Sequence, residues 1–281
     1  MIKNINCRYF IPIEKKSKKK KMQIRYDTPI EQYEVNGKTI HAKRDDLQGD
    51  GVELPPWAKL TAIEKILTSG ELDKNVPIIQ LCIRVSYSGW ALSQLGKAAG
   101  YEIKIAYPNS KNYPTDLRDQ WESFGAESVP LRANVNSIVL SWMKKEAEAK
   151  GYQYIPYGFD HPVYHEHWRS TLAQYDDYDN LVVCAGTPVT CLGMCQGFPG
   201  RNIYLPSTSK EKTVLRKLKK FGLENDERIS VHPSEFEFYD EMSDFETPFP
   251  THKYWDKKAW RFIVENTELL EGKTLFYNLG S

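Results

Sequence analysis

IIQLCIRVSYSGWALSQLGKAAGYEIKIAY, residues 78–107, decides the fold. Ile78 to Val85 is a continuous apolar run, the pattern of a strand buried on both faces, and such strands belong to parallel sheets covered by helices on each side. Ser88 to Ala99 reads as a helix, and Gly100 stops it, because glycine takes the left-handed backbone of a helix C-terminus without steric penalty. Glu102 to Tyr107 is the next strand. Strand, helix and strand in immediate succession form one βαβ unit of a twisted, mostly parallel sheet.

The same rhythm continues outward. Leu117 to Phe124 reads as helix with a stop at Gly125, Glu127 to Leu131 as strand, and Ser137 to Lys150 as helix. A third unit runs from the strand Tyr178 to Cys184 through a turn at Ala185 to Val189 into a helix from Thr190. Upstream, β-rich stretches between Ile24 and Ala42 break at Asn36-Gly37, a hairpin-type turn. They lead through Lys43-Arg44-Asp45-Asp46-Leu47 into a Gly- and Pro-rich loop, Gln48 to Pro56. Lys59 follows at the start of a helix whose apolar Leu60, Ile63, Ile66 and Leu67 recur at helical spacing. Glu235 to Tyr254 is too aromatic and acidic to show a period. The expected fold class is α/β, a two-lobed, three-layer αβα architecture. The expected division is a large domain from 22–66 and 162–281 and a small domain from 67–161.

The 281 residues carry 38 Lys and Arg against 37 Asp and Glu, so no global field draws the chain to nucleic acid. A block of lysines, Lys15, Lys16 and Lys18 to Lys21, repels itself and predicts a disordered tail over 1–21, with folded structure from about Met22. Nucleic-acid binding by that tail is a possible but not a favoured role. Five cysteines without regular spacing, and an N-terminus whose basic run follows its apolar residues, predict free thiols, no signal peptide and the cytoplasm. No apolar run reaches the ~20 residues of a membrane span.

Two loops that follow apolar strands carry candidate chemistry, because ligands of open α/β sheets bind beyond the carboxyl ends of the strands. In Arg84-Val85-Ser86-Tyr87-Ser88-Gly89, hydroxyl residues and a glycine at a helix N-terminus suit a substrate carboxylate. Cys184-Ala185-Gly186-Thr187-Pro188-Val189-Thr190 has the same logic and suits a phosphate. It lacks the endings of a nucleotide P-loop and of a dinucleotide fingerprint, so neither ATP nor NAD is favoured. Lys59 is the third element: a lysine at a helix start is out of place on dipole grounds, and burial there would lower its pKa toward that of a useful amine.

In their order these pieces resemble the 1-aminocyclopropane-1-carboxylate deaminase and D-cysteine desulfhydrase family, enzymes of the tryptophan-synthase-β-like fold, fold type II. The resemblance spans about residues 40–280. It implies pyridoxal 5′-phosphate held as a Schiff base on Lys59. It implies Gly186, Thr187, Val189 and Thr190 at the phosphate, Glu246 at the pyridine nitrogen, Ser86 and Tyr254 in catalysis, and Ser86, Tyr87, Ser88 and Gly89 at the substrate. Three positions depart from the family pattern: Trp57-Ala58 stands for its Gly-Asn, Tyr87 for an asparagine, and Thr61 for a basic residue. The implied activity is that of a lyase or deaminase acting on a small amino acid, in a homodimer. Two alternatives stand beside it: an enzyme acting on an amino-acid group attached to something larger, such as a modified nucleobase, and a catalytically silent binding protein. His161, His165 and His167 invite a metal, but no cysteine or carboxylate has a matching spacing, so none is expected.

Overall fold

The computed structural model describes residues 23–281 apart from 111–112, 133–135, 187 and 237; the expected basic tail lies outside the described residues. The first elements, β1 (Ile30–Val35) and β2 (Lys38–Lys43), pair antiparallel through Asn36 and Gly37, at φ of 49° and 80°. Positive φ at both turn residues matches the twist of the flanking strands. The helix α1 (Leu60–Thr68) follows Lys59. Next come β3 (Ile78–Leu81), α2 (Ser88–Ala99), β4 (Ile103–Pro108) and α3 (Thr115–Ser123). They are followed by β5 (Glu127–Leu131), α4 (Asn136–Lys150) and β6 (Gln153–Tyr154). The chain continues with α5 (Pro162–Leu172), β7 (Asn180–Val183), α6 (Val189–Gly197) and β8 (Asn202–Ser207). It ends with α7 (Glu211–Lys220), β9 (Ile229–Pro233), α8 (Asp256–Glu265) and β10 (Thr274–Tyr277).

The strands form two sheets. One has the order β1-β2-β10-β7-β8-β9 and is parallel except for the β1–β2 pair; the other has the order β5-β4-β3-β6 and is wholly parallel. Alternate residues of β7 serve opposite faces, as the period of a strand requires. Leu181 packs with Ile63, Trp168 and Leu192 of α1, α5 and α6, while Val182 packs with Trp260 and Ile263 of α8. Helices therefore cover both faces of the larger sheet. On the smaller sheet Ile79 and Leu81 meet Val139 and Met143 of α4. In the large sheet the order reverses between β7 and β10, the kind of switch point where a crevice opens beyond the carboxyl ends.

The strand expected to reach Val85 stops at Leu81. Val85 sits at φ 68°, a left-handed conformation that costs a β-branched residue, and the Ser86 N–H closes the turn on the Ile83 carbonyl at 3.2 Å. Apolar composition alone does not reveal where a chain leaves its sheet. The Lys43–Leu47 segment folds as a short 3-10 turn around buried charge. Arg44 pairs with the fully buried Asp46 at 2.9 Å, and Asp45 accepts from Thr28 and from Tyr277 of β10. Glu235 to Tyr254 holds no helix or strand among its described residues.

Helices α5 and α6 approach closely because Gly193 and Gly197, one turn apart, face α5. A Cβ at Gly197 would lie 2.1 Å from the Arg169 carbonyl oxygen, a backbone atom that cannot swing away. Alanine would raise helix propensity, so the sign of the effect is informative. Gly197→Ala is expected to destabilise the fold by about 1–3 kcal/mol, as overpacking does, measured by urea unfolding; an unchanged or raised midpoint would contradict this packing.

Candidate active site

The cavity lies where the carboxyl ends of β3, β7 and β10 converge. Its wall includes Leu81 at the end of β3 and Ile83 beyond it, Cys184 and Gly186 after β7, and Leu279 after β10, together with Trp57, Lys59, Ser86, Ser88, Tyr157, Phe159, Thr190, Trp255 and Asp256. The inner space is narrow, about 60 Å³; at Tyr157 and Gly186 it shares its wall with a cleft of about 590 Å³.

Lys59 reaches this cavity because the backbone around it is tied on both sides. The Ala58 N–H donates to the Leu279 carbonyl at 2.9 Å, the Ser281 N–H to the Pro56 carbonyl at 3.2 Å, and Trp57 bridges Gly280. Lys59 is the N-cap of α1, and its Nζ stands 4.9 Å from the centroid of the Trp57 ring. Burial lowers its pKa from 10.5 to about 8, only partly opposed by Cys191, Asp256 and Cys184. The amine is therefore available in neutral form near pH 8. The opposite shift falls on Asp256, whose carboxyl burial pushes up from 3.8 to about 7.

Three buried polar atoms along these walls have no protein partner: Asp256 Oδ2, Trp255 Nε1 and Thr208 Oγ1. Buried polar groups are rarely left so without a ligand or water to serve them. A Cβ on Gly186 would meet Trp255 at 3.4 Å and Thr208 Oγ1 at 3.6 Å, so glycine leaves these two side chains open to the space before α6. The Ser209 hydroxyl holds the Gly186 carbonyl at 2.6 Å. A neutral lysine amine, a buried acid in the same wall, and hydroxyls at a helix N-terminus fit the aldehyde, ring nitrogen and phosphate of pyridoxal phosphate. Gly186 lines both the inner cavity and the cleft, so a phosphate held there would lie at their junction.

The expected site residues divide. Lys59, Ser86, Ser88, Gly186 and Thr190 line the inner cavity, Gly186 and Val189 line the cleft, and Thr187 lies outside the described residues. Ser86 Oγ donates to Ser88 Oγ at 3.0 Å and accepts the Ser88 N–H at 3.2 Å, so the two hydroxyls act as a pair. Tyr87 turns away: its hydroxyl donates to the Ser281 carbonyl at 2.7 Å, and its ring packs against Trp57, Trp90 and His252. Gly89 serves packing, since a Cβ there would lie 2.6 Å from the Trp121 ring.

The structure does not bring Glu246 or Tyr254 to the cavity. Glu246 is exposed, and the Tyr254 hydroxyl donates to exposed Glu241. The acid that does reach it is Asp256, the first residue of α8, which sequence reading passed over inside an aromatic stretch. Thr208 and Tyr157 were missed as well; no local motif marks them, because each becomes part of the site only through sheet topology. The three histidines face three separate partners: His165 pairs with Asp160 at 2.9 Å, His161 with Glu71 at 3.3 Å, and His167 Nε2 lies 3.1 Å from Thr61 Oγ1.

No family model matches the chain. It is 25% identical over 280 residues to the glycyl-dTMP PLP-dependent decarboxylase of Pseudomonas phage M6, covering 90% of this chain and 98% of the relative. Among solved structures, an ACC deaminase homologue superposes with a TM-score of 0.70 at 16% identity, covering 92% of this chain and 91% of the other. Cysteine synthase from Entamoeba histolytica gives 0.66 at 17% identity, covering 96% and 91%. The fold is therefore the tryptophan-synthase-β-like fold, fold type II. No helix among the described residues is long and apolar enough to cross a membrane.

Asp256 supplies a test of the cavity's polarity. Its carboxyl titrates near 7 when folded and near 3.8 when unfolded, so the folded state favours the proton, and stability is lost as pH rises between those values. Asp256→Asn keeps the oxygen that accepts the Leu279 N–H at 3.0 Å and removes the titration. In cofactor-free protein its melting temperature relative to wild type is expected to rise from pH 4 to pH 7 and then level off, by up to a few kcal/mol in stability. A difference independent of pH would contradict the burial of this acid.

Proposed function

We propose that the chain is a pyridoxal-phosphate-dependent enzyme that removes the carboxylate from an amino-acid group carried on a nucleotide. One observation carries the reading: among the described residues lining the inner cavity, Lys59 is the single cation, and burial brings its amine to about pH 8. The full-length similarity to the phage glycyl-dTMP decarboxylase supports both the cofactor and the kind of substrate.

When bound, pyridoxal phosphate supplies a ring that takes up the electron pair left by a bond broken at the amino-bearing carbon. Lys59 Nζ would hold the cofactor's aldehyde carbon, and its amine, neutral near pH 8, is the group placed to hold a proton and return it to the product carbon. Gly186, Val189 and Thr190 at the start of α6, with the Thr208 hydroxyl, would hold the phosphate. Asp256, rather than the exposed Glu246, is the acid available to the ring nitrogen. The hydroxyls of Ser86 and Ser88 orient the substrate carboxylate.

The choice of bond follows from what the lining lacks. Deamination begins with proton removal and would draw on Lys59 or Asp256 as the base. Loss of CO2 requires no base, and a carboxylate held by the Ser86 and Ser88 hydroxyls meets no cation in this wall other than Lys59. With its charge so little compensated, departure as a neutral molecule is favoured.

Carboxyl-labelled glycyl-dTMP incubated with the cofactor-loaded protein is expected to release labelled CO2, and Lys59→Ala to lower that rate by about 10²–10⁴-fold. Release of ammonia from D-cysteine or 1-aminocyclopropane-1-carboxylate, with glycyl-dTMP left intact, would replace this reading by the deaminase one.

A further inference from the structure

The geometry points to the cleft beyond Tyr157 and Gly186 as the seat of the substrate's nucleotide, bound with its base free of any stack. This inference rests on the reading above and assigns the part of the substrate that Lys59 does not touch. The cleft measures about 590 Å³ and shares Tyr157 and Gly186 with the inner cavity, so a ligand can occupy both spaces at once. The cofactor's phosphate would take the end at Gly186, Val189 and Thr208, and a small free amino acid would leave the aromatic end, at Phe236, Phe238 and Tyr239, unused.

Its wall has the chemistry of a nucleotide site. The rings of Tyr157, Phe236, Phe238 and Tyr239 line it, and Phe238 lies 5.9 Å from Trp255, which lines the inner cavity. An aromatic surface thus runs from the cleft to the reacting end. Bases stack on such surfaces regardless of sequence. Positive charge stands beside the rings: the Arg84 guanidinium lies 4.1 Å over Tyr239, and Lys210 lines the cleft at the start of α7. Of the acids in this wall, Glu235 is engaged by Arg261 at 2.8 Å, and Glu211 sits in the first turn of α7. Arg84 belongs to the same loop as Ser86, so the loop that meets the amino acid also carries a cation to the aromatic wall of the cleft.

A pyrimidine inside a duplex offers only its edges, and an enzyme acting on it must take it out of the stack. The ring of Phe238 and the face of Tyr239 opposite Arg84 can be used only by a base already out of one, in a mononucleotide or a single strand.

The test titrates dTMP into cofactor-loaded protein by calorimetry, for wild type, Phe238→Leu and Tyr239→Ala; the leucine keeps apolar volume and removes the ring. Both variants are expected to weaken dTMP about tenfold and to raise KM for glycyl-dTMP about as much, with kcat and the cofactor's absorbance unchanged. A single-stranded thymidine oligonucleotide should compete with dTMP, and the same sequence in duplex should compete at least about tenfold less. Unchanged dTMP affinity in both variants overturns the site, and equal competition by duplex overturns the unstacked base. Wild-type protein that binds dTMP with this sensitivity yet releases no CO2 from glycyl-dTMP leaves the site standing and removes the decarboxylation instead.

Discussion

An ammonium ion is far costlier to bury than the neutral amine, and that preference at Lys59 is the constraint around which the site is organised. Position adds to burial. The N-terminal end of a helix disfavours positive charge, and Lys59 caps α1. The segment cannot relax toward water, because Pro56, Trp57 and Ala58 are bonded to residues 279–281, just beyond the last strand. The central strand pair β7–β10, the exit of β10 and the entry of α1 therefore act together to keep one amine out of solvent. Asp256, displaced in the opposite direction by the same dry surroundings, gives the cavity a second titratable group close to neutrality. Two groups whose pKa values are drawn together in this way are characteristic of sites that move protons.

The two sheets divide the labour of binding. The larger sends its carboxyl ends to Gly186 and Leu279, the smaller sends the Ile83–Ser88 loop, and Tyr157 to Phe159 close the cavity between them. Backbone strain concentrates in these connections: Val85 and Phe159 both hold positive φ, at 68° and 63°. Phe159 is nevertheless almost fully buried and stacks on Tyr164 at 5.8 Å, so packing holds the strained turn in place. Strain held at a site by the surrounding fold is a recurring device for fixing functional geometry.

Much of this was legible along the chain. Residues 78–107 announce a parallel sheet because a strand buried on both faces has nowhere to place polar side chains, and the hairpin at Asn36-Gly37 follows from two residues tolerant of positive φ. Lys59, Ser86, Ser88, Gly186 and Thr190 were legible too, since each lies at the junction of a loop and a regular element whose type the pattern fixes. What escaped depended on distance in sequence. Asp256 and Trp255 reach the cavity only because α8 packs under β7 and β8, and Thr208 only because β8 pairs with β7. Glu246 had an acid's chemistry and a suggestive spacing, but it lies in a stretch without periodicity, where nothing in the sequence indicates which side chains turn inward.

The most direct measurement is to load the protein with pyridoxal phosphate, reduce it with borohydride, digest it and locate the added pyridoxyl mass by tandem mass spectrometry. The mass is expected on the peptide containing Lys59 and on no other. A label on Lys258, Lys210 or another lysine, or no label on a protein that retains the cofactor, would contradict the central role of the buried amine.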